Sequence, residues 1–229
     1  VGFDTREPVE DVARIMEGFH ALIAARVYDH STITRLAAVA TVPVVNMLSD
    51  HSHPLQAFAD ALTMRQHLGD LAGQTVAYVG DYNNVARSLA EISARLGMHI
   101  RLACPLGFEA DDAEIDRILL LGAASVEQGN RPIEMVVGAH AVHTDTWVSM
   151  GEEEDKEAKR QKFDGFTVDD AMMDAAGPAS IFMHCLPAYR GFEVTASVID
   201  GPRSVVFQQG HNRMHAARGA LAFLMGVET

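Results

Sequence analysis

The feature that most limits how this chain can fold is a repeated exchange between short apolar runs and longer stretches of helical periodicity. Ala21–Ala25, Pro43–Met47, Thr75–Val79, His99–Ala103, Ala141–Thr144, Ile181–Met183 and Ser204–Phe207 are runs of strand length, with a shorter one over 124–126. Such runs are the pattern of strands covered on both faces. Between them, Val12, Ile15, Met16 and Phe19 repeat at helical spacing behind Pro8, Ser31 caps a helix through Ala40, and Leu55–His67 runs from Pro54 to Gly69. Further helices are predicted over 85–96, 111–121, 132–137, 168–176 and 212–225. Strand following helix following strand implies an α/β fold, with parallel sheets flanked by helices.

Only two of these strands precede the helix that begins at Pro54. Two α/β domains joined by that helix are therefore expected, the first of them incomplete. In a chain of 229 residues, 31 Asp and Glu against 18 Lys and Arg leave a formal charge of -13. That balance argues against non-specific binding to nucleic acid or anionic membrane, so an anionic ligand needs a local cluster of cations. No apolar run approaches the roughly 18 residues of a membrane span, and no signal peptide opens the chain, so a cytoplasmic setting is expected. Cys104 and Cys185 are too few for a disulfide framework and are read as reduced thiols.

Candidate chemistry gathers at strand ends. The run through Met183 delivers His184-Cys185-Leu186 and stops at Pro187, which cannot continue a central strand. In open α/β sheets ligands bind at that edge. Asp145 ends another strand, beside Thr144 and Trp147, where a carboxylate serves either as a turn residue or as the partner of an ammonium group. His53 and Gln56 share one face at a helix N-terminus, whose partial positive charge favours an anion. Gly80-Asp81-Tyr82-Asn83-Asn84 sits where a dinucleotide loop would, but it lacks the glycines that let a backbone approach a pyrophosphate, which argues against a nicotinamide cofactor. The alternating His51 and His53 have no third ligand motif, which argues against zinc. Arg26 and Arg213 are candidate cations, each also readable as an ordinary surface arginine.

Three of these stretches, His53-Pro54-Leu55-Gln56, Asp145-Thr146-Trp147-Val148-Ser149-Met150-Gly151 and His184-Cys185-Leu186-Pro187, together resemble the signatures of the transcarbamylases. The Ser-Met-Gly after the Trp resembles the ornithine carbamoyltransferase branch, and the likeness runs from about Glu7 to the C-terminus in the family's order and spacing. The resemblance implies that residues 1–53 are the C-terminal part of a carbamoyl-phosphate domain and 54–68 the interdomain helix. It makes 69–208 an ornithine domain and 209–229 a C-terminal helix packing back on the first. It implies carbamoyl transfer from carbamoyl phosphate to the δ-amine of L-ornithine, with no metal or organic cofactor, by a homotrimer. Arg26, His53 and Cys185 would be catalytic; Arg26, His53, Gln56, Cys185, Leu186 and Arg213 would meet carbamoyl phosphate; Asn84, Asp145, Ser149 and Met150 would meet ornithine.

The sequence also departs from the family. Its Ser-x-Arg-Thr-Arg phosphate-binding stretch has no counterpart here, Gly2 stands where a Gln is common and Asp4 where Gly is usual, and Gly210-His211 precedes Asn212-Arg213. A transcarbamylase for another amine or amino acid, and a non-catalytic homologue, remain alternatives at this point.

Overall fold

Every residue of Thr75–Val79 is buried, and this strand lies at the middle of the main sheet. The computed structural model describes residues 2–147 and 156–227. Its first unit consists of α1 (Val9–Glu17), β1 (Ile23–Arg26), α2 (His30–Val39) and β2 (Val44–Leu48), with the strands paired in parallel from Ile23 opposite Val44. After α3 (Pro54–Leu68) come β3 (Thr75–Val79), α4 (Asn84–Arg95), β4 (His99–Ala103), α5 (Asp112–Leu120), β5 (Ser125–Gly129) and α6 (Pro132–Met135). The chain continues through β6 (Ala141–Thr144), α7 (Lys156–Lys162), α8 (Asp170–Ala176), β7 (Ile181–His184), α9 (Ala196–Ile199) and α10 (Val206–Leu224).

Among the described residues the main sheet has the order β5-β4-β3-β6-β7, parallel throughout. β4 and β5 build outward from one side of β3, and the chain then crosses back to lay β6 on the other. That reversal opens a crevice at the carboxyl ends of β3 and β6, the usual place for a ligand in such sheets. Strand alternation sends Val76 and Tyr78 to one face, where they pack with Leu89, Ile100, Met183 and Met64, and Ala77 and Val79 to the other, with Val142, Phe163, Phe166 and Phe182. Each fully buried large side chain contributes about 2 kcal/mol, and both faces are filled in this way. The first unit has a small core of its own around Val9, Ala13, Ile33 and Leu36.

Several local expectations need correction. Ser204–Phe207 is not a strand: Ser204 makes a single bridge to Phe182, and the helix already starts at Val206. A run of three apolar residues behind a serine fits either state, and here Val206, Gln209 and Asn212 fall on one buried helical face, so the helical period wins. The cap of α2 is Asp29, whose side chain accepts the Ser31 N–H, and not Ser31 itself. Helix α1 buries Val9, Val12 and Ala13, leaving Ile15 and Phe19 exposed. The Lys-rich stretch read as a solvated helix or loop is helix α7, but Lys159 within it is buried, with Nζ 3.0 Å from Asp81 Oδ2. The acidic run Glu152-Glu153-Glu154-Asp155 lies outside the described residues.

Helix α10 lies against α3, joined to it by Gln208–Gln66 and Asn212–Thr63 hydrogen bonds of 2.7 and 2.8 Å. Among the described residues no helix is long and apolar enough to cross a membrane.

Candidate active site

The crevice at the switch point is lined by the segments that leave β3, β6 and β7. After β3, Asn83 caps α4: its Oδ1 accepts the N–H groups of Val85 and Ala86 at 2.9 and 3.0 Å, which leaves its amide nitrogen to donate to Asp145 Oδ2 at 3.0 Å. Asp145, just past β6, is buried, and its other oxygen accepts the Cys185 thiol at 2.8 Å. Burial, then the Asp145 charge and this hydrogen bond, hold the Cys185 thiol well above its usual range. A protonated thiol donating to a carboxylate is a poor nucleophile. Trp147 anchors the chain beyond Asp145 by packing on Phe163, with ring centroids 5.2 Å apart. Ser149 and Met150 lie outside the described residues.

β7 delivers His184 and Cys185 to opposite tasks. His184 is fully buried, its Nδ1 accepting the Leu186 N–H at 2.8 Å. The ring proton therefore sits on Nε2, 3.3 Å from the buried Glu193 Oε1. The Leu186 bond helps hold that residue in the left-handed region, with φ at 56°, followed by a cis peptide to Pro187. A φ in the left-handed region is sparsely populated for a side chain as bulky as leucine. Ligand atoms of Asp145, His184 and Cys185 all lie within 4.8 Å of one another, a spacing that a metal ion could bridge. In this structure the Cys185 thiol is hydrogen-bonded to Asp145 and His184 Nδ1 to Leu186.

The opposite wall is the first turn of α3. Pro54 opens the helix and His53 precedes it, its backbone N–H donating to Ser88 Oγ at 2.8 Å. The imidazole is buried and its pKa is pushed down to about 4, first by burial and next by the Arg213 charge. Arg26 acts in the same direction, whereas Asp60 and Asp145 oppose it. Arg26 ends β1, Arg213 lies on α10 and Asp145 follows β6, so charges from three other elements act on the His53 ring. Among the described residues, both His53 Nδ1 and Gln56 Oε1 are buried without a hydrogen-bond partner. Asn84 donates its amide to the Ser49 carbonyl at 2.7 Å, tying α4 to the loop after β2.

Sequence reasoning overlooked Asn83, Asp60, Gln209 and Glu193. Asn83 was visible as a cap residue, and Asp60 as the acidic residue one helical turn beyond Gln56. Gln209 and Glu193 carry no local signal.

Comparison with known proteins bears directly on this site. The description "Aspartate/ornithine carbamoyltransferase, carbamoyl-P binding domain" matches residues 2–66, and "Aspartate/ornithine carbamoyltransferase, Asp/Orn binding domain" matches residues 72–224. The chain belongs to the aspartate/ornithine carbamoyltransferase family. Within that family it is 46% identical to an ornithine carbamoyltransferase of Thermus thermophilus, over 98% of this chain and 73% of that protein. It is 45% identical to the chloroplastic ornithine carbamoyltransferase of Pisum sativum over 96% of this chain, and spans 59% of that protein's length. The solved ornithine carbamoyltransferase of Pyrococcus furiosus superposes with a TM-score of 0.94 at 42% identity, covering 100% of this chain and 74% of that one. The first domain match takes in α3 as far as residue 66 and the second begins at residue 72, so the helix whose first turn forms one wall of this crevice closes the carbamoyl-P binding match.

Proposed function

We propose that this chain transfers the carbamoyl group of carbamoyl phosphate to the δ-amine of L-ornithine, giving L-citrulline and phosphate. The observation that carries the reading is the buried Asp145, held by Asn83 and the Cys185 thiol at the switch point, opposite a neutral His53 at a helix N-terminus. A carboxylate has lone pairs to spare after two hydrogen bonds, so Asp145 can still receive the α-ammonium of ornithine. Arg26 and Arg213 are the local cations that an acidic chain needs for an anionic donor, and the first turn of α3 adds its dipole.

In the reaction, the neutral δ-amine attacks the carbamoyl carbon. The C–N bond forms as the bond to the phosphate oxygen breaks, and the proton lost by the amine nitrogen passes to the departing phosphate. His53, neutral at physiological pH, and Arg26 stabilise the oxyanion that develops on the carbamoyl oxygen. Cys185 stays protonated and positions Asp145 and the amine, and the Leu186 carbonyl is an acceptor for the reacting amines. Gln56 contacts the carbamoyl group and Arg213 the phosphate. Asn84, Ser149 and Met150 complete the ornithine side on the strength of their motifs.

By the same reading, residues 1–53 belong to the carbamoyl-phosphate domain and 69–208 to the ornithine domain, with 54–68 between them and 209–229 forming the C-terminal helix. The protein works in arginine metabolism as a cytoplasmic homotrimer. The test is citrulline formation from ornithine and carbamoyl phosphate, run on this chain and on the complete product of its gene. Citrulline from either supports the reading. No citrulline from both, with ornithine still bound, would replace the proposed donor or the transfer itself; no ornithine binding would replace the acceptor.

A further inference from the structure

Behind the crevice lies a buried polar unit that the proposed reaction leaves without a role. Asp60 is fully buried on α3, one turn beyond Gln56, and its Oδ1 accepts the side-chain amides of both Gln56 and Gln209 at 2.7 Å. Gln209 in turn accepts the His184 backbone N–H at 2.9 Å. His143 Nε2 stands 3.2 Å from Gln209 Nε2 and 3.5 Å from Asp60 Oδ2. Each partner is a short step from a candidate reacting group. Gln56 shares the first turn of α3 with His53, His143 lies two residues before Asp145, His184 immediately precedes Cys185, and Gln209 is one turn before Arg213.

The chemistry of the carboxylate fixes the orientation of both amides. A carboxylate only accepts, so each amide must turn its NH2 toward Asp60. For Gln209 this leaves Oε1 facing the His184 N–H, and that bond is made. For Gln56 it leaves Oε1 facing away, buried and without a partner among the described residues. A buried acceptor costs free energy until a donor meets it.

We infer that Asp60 is a positioning residue, which with Gln209 sets the four elements at one spacing and presents the carbonyl end of Gln56, not its NH2 end, to the ligand. The inference rests on the proposed reading, because the NH2 of a carbamoyl group is the donor that Gln56 Oε1 lacks. Asp60→Asn tests it, since an asparagine is nearly isosteric but can donate as well as accept, which frees the Gln56 amide to turn over.

The readout is discrimination between carbamoyl phosphate and acetyl phosphate, which carries a methyl group in place of the NH2. Binding of each is measured by calorimetry without ornithine, with circular dichroism to confirm folding. The unaltered chain should prefer carbamoyl phosphate by about tenfold, the value of one hydrogen bond, and in Asp60→Asn the ratio should fall toward one with acetyl phosphate affinity kept. Equal weakening of both ligands would overturn the inference and leave Asp60 a merely structural residue. If the unaltered chain binds neither ligand, the proposed function fails separately, and side-chain NMR of the unaltered protein decides the point without any variant. The NH2 protons of Gln56 and Gln209 should then exchange with water at least about tenfold more slowly than those of an exposed glutamine. Ordinary exchange at Gln56 would overturn the inference.

Discussion

The two walls of the crevice are built on opposite plans. At the ends of β6 and β7, Asp145 gives one oxygen to Cys185 and the other to Asn83, so the group is satisfied from within the protein. At the first turn of α3, His53 Nδ1 and Gln56 Oε1 are buried and have no partner there. A self-satisfied cluster keeps its geometry without a ligand. An unsatisfied one costs about 1–3 kcal/mol per group, which only an incoming donor or acceptor recovers. On the proposed reading, the acceptor side of the site is thus pre-formed, whereas the donor side stores part of the affinity for its ligand.

The sharpest way to break this contrast is to titrate His53. Its pKa is about 4 when folded against 6.5 when free, so the unfolded chain takes up a proton that the folded chain refuses. Its contribution is present above about pH 6.5 and lost as pH falls through about 4, as much as about 3 kcal/mol. In urea unfolding across that window, His53→Asn should lose less stability than the parent by that amount; parallel curves would show that the imidazole is not held unprotonated. Next in size is Asp145→Asn, which removes the proposed ammonium partner. The KM for ornithine should rise about a hundredfold in steady-state kinetics, and an unchanged KM would remove ornithine's ammonium from this wall.

Asn83→Ala takes away two capping bonds and the bond to Asp145, and should cost about 1.5 kcal/mol in denaturant unfolding. A neutral result would mean that Asp145 is positioned without it. The smallest effect belongs to Cys185→Ser, because a hydroxyl can donate to Asp145 as the thiol does. Thermal unfolding should register a change under about 1 kcal/mol, and a loss of several would show that the sulfur packs as well as donates.

How much of the site and fold was legible in the residues themselves varies with the range of the interaction. β3, a continuous buried run, and the capped helix after it announce themselves locally. His53, Asp145 and Cys185 sit at element ends, where position alone made them candidates. Ser204–Phe207 misled because three apolar residues carry no period of their own, and α10, held by contacts with α3 and β7, takes in Val206 and Phe207. Lys159 was read as solvated because nothing near it in sequence reveals Asp81, whose carboxyl burial pushes up to about 6 even beside that ammonium. Asp60 and Gln209 escaped for the same reason: a buried acid is recognisable only once its donors are folded around it.

The order of strands in the main sheet also bears on when the site comes into being. The Asn83–Asp145 bond closes 62 residues of chain and the Asp60–Gln209 bond closes 149. Closing long loops is entropically costly and slow relative to local pairing, so β3, β4 and their helices can associate well before β6 is inserted beside β3. On a ribosome, α3 emerges with its buried acid met only by Gln56 one turn away and waits for most of the chain to supply Gln209. The crevice is a terminal product of folding, and a lesion at Gln209 on α10 registers first as failed maturation of the nascent protein.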